Sequence, residues 1–449
     1  MKQKLSLKEN ILIATMLFGM FFGAGNLIFP VLMGQQAGYQ VWPAILGFIV
    51  TGVGLPLLGV AAIGITRSNG LLELGSKVSR SYGLFITCAL YLTIGPFFAI
   101  PRCATVPFTV AVSSLFPGVN EKLYLAVFSV LFFLLVLAFS LKPGKIMTYV
   151  GKILTPAFLL FLCVLVITAL LDPLGQISQL PPSGGYVDKA FFTGFLDGYN
   201  TMDALAGLAF GIVVVTAIRD LGVQQPEHIA SCTVKAGIFS CLIMAAIYCA
   251  VTIVGAQSAG AGVPCANGGE VLSLIASHYF GDVGAWLLAI TVTLACLKTS
   301  VGLVVSCSET FLEMFPKGPG YRVWAVVFSL VSLLIANLGL DAIIAYSLPV
   351  LMLLYPLAIT LILLGLTGRF FRHDRRVYIC VTAAAFVAAL FDFCKALPAA
   401  LIESLRLQPV IDLAQRFLPF YSLGIGWLCP TLLGLAIGLL WYFCSRKRA

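Results

Sequence analysis

Residues 22–30 of this chain read FGAGNLIFP, and residues 197–203 read DGYNTMD. Each stretch interrupts a long apolar run. Two glycines beside an asparagine lower the helix propensity of the first stretch, and polar side chains fill the second. At membrane depth, non-helical backbone is tolerated only where it lines a cavity or is buried in protein. The two stretches therefore predict two broken helices at a cavity.

The composition is that of a membrane protein. Of the 449 residues, 60% are apolar and 10% are charged, whereas soluble domains have about 45–50% apolar and about 25% charged residues. Mean hydropathy is +1.04. Charged clusters separate apolar runs of about 20 residues, the length that crosses a bilayer. The lipid bilayer is therefore an expected partner.

Hydropathy predicts an all-α chain with about twelve transmembrane helices in a single transporter domain, residues 1–449. Helix 3 is expected as one long span or as a shorter helix with an amphipathic extension. The predicted spans are 10–33, 41–66, 83–115, 122–141, 147–171, 191–218, 233–256, 282–311, 323–340, 343–368, 377–396 and 420–443.

The two interruptions fall at equivalent places if helices 1–5 (residues 10–171) and 6–10 (residues 191–368) are repeats. A repeat of five helices crosses the membrane an odd number of times, so the second must be inverted. Residues 377–443 then hold helices 11 and 12. Paired broken helices in inverted repeats indicate the midplane binding site of a secondary transporter.

The net charge of +9 reflects membrane orientation, because Lys and Arg gather on alternate connecting segments. This asymmetry predicts that both termini are cytoplasmic. No basic soluble domain suggests nucleic acid as a partner. The 13 cysteines are odd in number and scattered through apolar runs, which argues against a disulfide framework, and the three histidines lie too far apart for zinc.

The first interruption has two interpretations. Unwinding would free backbone N–H groups for a substrate carboxylate, helped by the positive end of the following half-helix. Alternatively, the glycines allow close helix packing. Asn26 and Pro30 add disruption that packing does not need, so function is favoured. The predicted substrate-binding residues here are Gly23, Ala24, Gly25 and Asn26.

The second interruption carries carboxylates. Asp197 or Asp203, with freed carbonyls of Tyr199, Asn200 and Thr201, would hold a substrate ammonium group or a coupling cation, unless Asp197 simply lies at the interface. Asp203 is about 12 residues into its span, roughly 18 Å deep. A carboxylate at that depth is costly unless paired, which marks Asp203 as functional.

Three further residues stand out. Arg102 follows two prolines in helix 3, and it either pairs with a carboxylate such as Asp203 or reaches the outer interface. Tyr91 either offers its hydroxyl to the substrate or packs. Lys298 is about 13 residues from the cytoplasmic end of helix 8, roughly 20 Å, too far for its amine to reach water easily.

These segments, with LTIGPFFAIPR at residues 92–102 and GYNTMDAL at residues 198–205, resemble the bacterial branched-chain amino-acid carrier family, the leucine, isoleucine and valine cation symporters. The likeness covers nearly the whole chain. It implies the leucine-transporter fold, with helices 1 and 6 unwound around the substrate, and a place in the bacterial cytoplasmic membrane.

The resemblance also implies a coupling site. In sodium-coupled members of this larger fold group, a cation lies between helix 1 carbonyls and a hydroxyl-bearing stretch of helix 8. The matching positions here are Gly19, Phe22, Ala295 and Thr299. Lys298 replaces the first hydroxyl residue, and its ammonium would repel or replace sodium. The coupling ion is thus H⁺ or Na⁺, with no other cofactor and no obligate protein partner.

The sequence is also compatible with other functions. An exchanger of small apolar amino acids without ion coupling is the main alternative. An intramembrane enzyme would need a nucleophile with a base, and no such motif or intramembrane histidine is present. A channel rarely needs paired broken helices with lone opposite charges.

Overall fold

A computed structural model describes residues 5–23, 25–115, 120–141, 159–223 and 225–446. In these ranges the chain forms helices, turns and bends, and no strand. The residues 147–158 predicted to begin helix 5, and Ala24 of the predicted site, lie outside the described residues.

The first half contains six spans, numbered here α1 to α6. Span α1 has two halves, α1a and α1b, and span α6 likewise has α6a and α6b. Their bounds are Leu7–Phe21 (α1a), Gly25–Ala37 (α1b), Val41–Ile49 with Leu55–Thr66 (α2), Arg80–Leu92 with Ala99–Leu115 (α3), Glu121–Leu141 (α4), Leu159–Leu171 (α5), Tyr186–Asp197 (α6a) and Asp203–Asp220 (α6b).

The second half contains α7 to α12. Helix Gly268–Met314 turns sharply at Gly281, whose φ is 57°, so α8 is residues 282–314 and a separate helical arm precedes it. The remaining bounds are Pro226–Ser258 (α7), Tyr321–Ala336 (α9), Leu340–Thr367 (α10), Arg375–Ala396 (α11) and Leu428–Arg446 (α12).

Eight described helices are long and apolar enough to cross a membrane, and the bent α6 pair makes nine. One of the eight, Gly25–Thr66, runs through both α1b and α2, and α5 and α9 are shorter apolar helices. Separating α1 from α2 and adding α5 and α9 gives the twelve predicted spans. The chain is therefore a multi-pass, all-α membrane protein.

Predicted and observed bounds differ most at α12, which begins at Leu428 and not at residue 420. Phe420 and Gly424 adopt left-handed backbone, with φ of 62° and 75°, and Tyr421–Leu423 between them form a short 3-10 turn. Span α3 runs the whole predicted length, but one π turn at Thr93–Phe97, containing Pro96, interrupts it. Hydropathy does not report such changes of backbone.

The helices pack in two groups around the breaks. In the first group, α1b contacts α7 and α2 contacts α6. In the second group, α3 contacts α8, and α4 and α9 pack against both of these spans. Glycines bring α1b and α7 together: a Cβ on Gly34 would lie 2.0 Å from the Thr252 carbonyl oxygen, and one on Gly255 would lie 2.1 Å from that of Val31. Span α10 contacts both groups and α11, and α11 in turn contacts α12.

The bundle has two distinguishable ends. At one, Arg375 donates to the Val78 carbonyl at 2.9 Å, which joins the start of α11 to the segment just before α3. At the other, Asn267 donates to Asp341 at 3.0 Å, and Ser183 donates to the Gln36 carbonyl at 2.8 Å. We call these the Arg372 end and the Asp341 end.

Candidate functional site

A cavity of about 60 Å³ lies where the breaks in α1 and α6 meet α3 and α8. Its polar lining comes mainly from the two breaks, and its apolar lining comes from all four spans. The lining residues are Met20, Phe21, Gly23, Gly25, Asn26, Ile94, Ala99, Arg102, Cys103, Thr201, Met202, Asp203, Ala206, Phe210, Thr299 and Leu303.

The side chain of Asn26 stabilises the non-helical backbone of the α1 break. Helix α1a ends at Phe21, and the backbone N–H of Gly23 donates to Oδ1 of Asn26 at 2.8 Å. Gly25 begins α1b, so the positive end of that half-helix faces the cavity. A Cβ on Gly25 would lie 3.7 Å from the Cα of Thr201, so the breaks are in contact.

The α6 break is a 3-10 turn, Gly198–Thr201, followed by Met202 in a left-handed conformation with φ of 61°. The two half-helices are bent by 44°. Thr201 accepts a hydrogen bond from the Asp203 N–H at 3.4 Å and donates to the Gly198 carbonyl at 2.9 Å. Asp203 therefore begins α6b with its side chain at the cavity.

Asp203 is buried in a network of neutral donors. Its Oδ2 accepts from Nδ2 of Asn26 at 2.6 Å and from the Tyr248 hydroxyl of α7 at 2.9 Å. Nδ2 of Asn26 also donates to that hydroxyl. All three side chains are at most 2% exposed. The network holds the carboxylate in place without neutralising its charge.

Arg102 is the opposite charge in this cavity. It is 3% exposed, and it donates to the Asn200 carbonyl at 2.7 Å and to the Met202 sulfur at 3.2 Å. Its guanidinium lies 5.2 Å from the centre of the Phe29 ring. Neither predicted alternative, a carboxylate partner or the interface, describes these contacts, because the unwound α6 backbone supplies the acceptors.

Predicted coupling residues lie beside the cavity. A Cβ on Gly19 would be 3.9 Å from Nζ of the half-buried Lys298, and one on Gly23 would be 3.5 Å from Cγ2 of Thr299. Thr299 lines the cavity and donates to the Ala295 carbonyl at 3.1 Å. Phe22 stacks on Phe18 at 4.9 Å. The end of α1a and the middle of α8 are thus brought together.

Some predicted site residues lie outside the cavity lining. The Tyr91 hydroxyl donates to the Ala209 carbonyl of α6b at 3.0 Å. Tyr199 stacks on Tyr355 of α10, with ring centres 3.9 Å apart. Asn200 and Asp197 instead line a second cavity of about 430 Å³ toward the Asp341 end. Asp197 accepts a hydrogen bond from Tyr186.

Comparison with known proteins settles the family. A family model described as "Branched-chain amino acid transport protein" matches residues 6–445. The chain belongs to this family. A similar relative, the branched-chain amino acid permease BrnQ of Lactobacillus delbrueckii subsp. lactis, is 53% identical over 450 residues that cover 100% of both chains. The family is one of transport proteins and not of enzymes.

Solved structures give the fold of this family member. The inward-facing conformation of Mhp1 matches 97% of this chain and 91% of its own, with a TM-score of 0.64 and 15% identity. MhsT in complex with L-phenylalanine matches 99% of each chain, with a TM-score of 0.56 and 16% identity. Both have the leucine-transporter fold, so the predicted fold class is confirmed. The repeat boundaries stay a prediction.

Two residues that contact the charged side chains of the site, Tyr248 and Met202, were not predicted as site residues from the sequence. Tyr248 was missed because a tyrosine in an apolar helix gives no sign of which helix it faces. Met202 was missed because its left-handed backbone and its sulfur contact depend on the turn that unwinding creates. The TMD tripeptide at residues 201–203 was the available signal.

Proposed function

We propose that this chain is a secondary active transporter that imports leucine, isoleucine and valine by alternating access. The observation that carries the proposal is one cavity that holds a buried carboxylate and a buried guanidinium. In the described structure, Asp203 accepts from Asn26 and Tyr248, and Arg102 donates to α6, so the two charges do not bond to each other. A zwitterion complements this arrangement.

The amino-acid backbone fits the polar part of the cavity. Asp203 receives the ammonium group, since a buried charge needs a partner of opposite sign. The positive end of α1b at Gly25 and the Arg102 guanidinium attract the carboxylate. The Gly23 N–H is already bonded to Asn26, so Gly23 acts by allowing the break.

The apolar part of the cavity fits a branched aliphatic side chain. Its walls come from Met20, Ile94, Phe210 and Leu303. None of these four carries a strong hydrogen-bonding group, since the Met20 sulfur is only a weak acceptor, and burying a polar substrate side chain without a partner is unfavourable. Small aliphatic amino acids are therefore preferred over charged ones.

The location proposed is the bacterial cytoplasmic membrane, with the Arg372 end in the cytoplasm. Described basic residues gather at that end, in accord with the positive-inside rule. Both termini then lie inside, and the cavity that contains Asn200 opens outward. The basic residues are Arg67, Lys77, Arg80, Arg219, Lys317, Arg322, Arg369, Arg372, Arg375 and Arg376.

The coupling ion proposed is the proton, and not sodium. The Lys298 amine lies beside Gly19, where sodium would be held by α1 carbonyls, and a fixed cation repels a second one. Thr299 already donates to the Ala295 carbonyl. Transport without any coupling ion is the second candidate, favoured by the same position of Lys298.

Uptake of labelled leucine into proteoliposomes tests the proposal. We expect saturable uptake that unlabelled isoleucine and valine inhibit and that lysine and aspartate do not. An inward proton gradient should drive accumulation of leucine, while uptake that is the same with and without the gradient indicates the second candidate. Absence of leucine uptake and of leucine binding by the purified protein would refute the proposal.

A further inference from the structure

Asp392 of α11 is a buried carboxylate outside the substrate cavity. It is 0% exposed, and neither of its oxygens has a hydrogen bond of ordinary geometry in the described structure, although the backbone N–H of Trp427 faces the carboxylate. A Cβ on Gly426 would lie 3.3 Å from its Oδ1. The backbone that leads into α12 therefore passes directly over the carboxylate and shields it from water and lipid.

Other unpaired polar atoms surround Asp392. The Tyr199 hydroxyl and the Trp427 indole nitrogen are buried and also lack partners in the described part of the chain. Tyr199 lies within electrostatic range of Asp392, and its hydroxyl approaches the Trp427 side chain. These three groups thus lie between α6, α11 and the start of α12. A small shift, or the addition of a proton, would allow them to hydrogen-bond to one another.

The charged groups nearest to Asp392 are already engaged. Lys395, one turn along α11, donates to the Tyr421 carbonyl at 2.8 Å and lies 4.9 Å from the centre of the Tyr421 ring. Lys189 of α6a donates to the Ser422 carbonyl at 3.4 Å. The Tyr421 hydroxyl donates to the Phe391 carbonyl at 2.8 Å.

The chemistry of the site selects a proton as its ligand. An ionised carboxylate without hydrogen bonds is very unfavourable inside a membrane protein. A metal cation would need several more oxygen ligands in a shell, and the described neighbours are mainly aromatic. A proton removes the charge and leaves a single O–H that needs one acceptor, and the unpaired Tyr199 hydroxyl is a candidate acceptor after a small shift.

The site is connected to the substrate cavity through Tyr199. This residue belongs to the turn Gly198–Thr201, whose Asn200 carbonyl accepts from Arg102 and whose Thr201 lines the cavity. On the other side, Tyr199 stacks on Tyr355 of α10. A change of charge at Asp392 therefore acts on the backbone that forms the binding site.

We propose that Asp392 is a proton-binding site of the transport cycle, and that its occupancy controls the α6 turn through Tyr199. This inference rests on the proposed function and adds the residue that carries the coupling proton. With the orientation above, Asp392 lies near the outer end of α11, four residues before Ala396.

The decisive variant is Asp392→Asn, which keeps the shape of the protonated acid and cannot release a proton. Proton-driven accumulation of leucine in proteoliposomes should fall by a factor of about 5 to 150, the usual range of coupling between two sites. Leucine exchange at equal concentrations should continue. Asp412→Asn, on the exposed helix Gln408–Phe417, is the matched control and should behave as wild type.

Two further measurements test the proposal, and the first does not depend on the folding of Asp392→Asn. Tyr199→Phe keeps the ring stack but removes the hydroxyl, so the pH midpoint of leucine binding should shift. The infrared C=O band of a protonated carboxyl should be present in wild type and weaker in Asp392→Asn. An unshifted midpoint, or an unchanged band, would overturn the proposal.

The outcomes separate this inference from the proposed function. Wild-type protein that neither binds nor transports leucine refutes the proposed function. Wild-type protein that transports leucine, with equal proton-driven accumulation by Asp392→Asn, overturns the role of Asp392 alone. Leucine transport that ignores the proton gradient overturns it as well, because no coupling proton then exists.

Discussion

The side-chain amide of Asn26 lies 2.6 Å from Oδ2 of Asp203, so the break in α1 is bonded directly to the break in α6. These residues are 177 positions apart in the chain. The bond fixes Asp203 at the cavity, and the Tyr248 hydroxyl completes its environment. Both donors are neutral, which leaves the carboxylate charge for a ligand.

Replacing Asp203 by Asn should greatly weaken leucine binding. Asn keeps the size of the side chain but removes the charge that faces the substrate ammonium. Loss of one partner of a buried charge pair costs about 2–5 kcal/mol, so the dissociation constant should rise at least about 30-fold. Calorimetry on the purified protein measures it.

The exposed Asp412→Asn serves as the control for this variant, since it makes the same chemical change away from the cavity. Its dissociation constant for leucine should equal that of wild type. Equal affinity of Asp203→Asn and wild type would show that the ammonium group binds elsewhere.

Replacing Gly25 by Leu should abolish binding while the protein still folds. A Cβ at Gly25 meets the Phe29 ring at 3.5 Å, an ordinary contact, so the backbone tolerates a side chain. The rest of the leucine side chain would fill the space where the substrate carboxylate meets the start of α1b. Scintillation binding of labelled leucine, with gel filtration to check folding, measures both effects.

Gly302→Leu is the matched control for Gly25→Leu. Gly302 lies in α8, and a Cβ there would have no heavy atom within 4 Å. This variant should insert and bind leucine as wild type does. Unchanged leucine affinity in Gly25→Leu would mean that the α1 break is not the binding site.

The breaks could be predicted from the sequence because their residues conflict with their surroundings. Gly23, Gly25 and Asn26 weaken a helix in the middle of an apolar span, and Asp203 adds a charge at similar depth. Each of these residues is unfavourable in an apolar helix, and proteins tend to keep such unfavourable residues at their functional sites. These signals are local, so no knowledge of neighbouring helices was required.

The partners across helices could not be predicted in the same way. Arg102 bonds to a backbone carbonyl and a sulfur, and backbone acceptors appear only once α6 unwinds. Tyr248 contacts Asp203, and Asp392 lies within electrostatic range of Tyr199, because of how distant helices are rotated and packed. A sequence records which side chains exist, but not which faces of two distant helices are brought into contact.

Labelling of single cysteines tests the orientation. Cys265 follows α7 at the Asp341 end and is partly exposed, while Cys444 is exposed in the last turn of α12 at the Arg372 end. In intact cells an impermeant maleimide should label a protein whose only cysteine is Cys265. A protein with only Cys444 should be labelled after permeabilisation.

The pH of this labelling experiment matters. Burial raises the pKa of the Cys265 thiol, with Glu270 adding to the rise. Since the thiolate is the reactive form, the labelling rate should increase as pH rises through the neutral range. Labelling of Cys265 at high pH that still requires permeabilisation would reverse the proposed orientation.

Replacing Lys298 by Thr should change the response to sodium. In the wild type, the amine lies beside Gly19 at the place where α1 carbonyls would hold sodium. An inward sodium gradient at equal pH should therefore not stimulate leucine uptake in proteoliposomes. Lys298→Thr removes the cation and restores a hydroxyl next to Thr299, and sodium should then stimulate uptake by a factor within the range of about 5 to 150.

The exposed Lys317→Thr, in the loop between α8 and α9, removes the same charge elsewhere and should leave uptake insensitive to sodium. This control excludes an effect of net charge on the membrane surface. Strong sodium stimulation of leucine uptake by the wild type would refute the proposal that the Lys298 amine takes the place of sodium, because sodium would then bind while Lys298 is present. Lys298 would in that case act as a partner for a carboxylate, with Thr299 and Ser300 left to hold sodium.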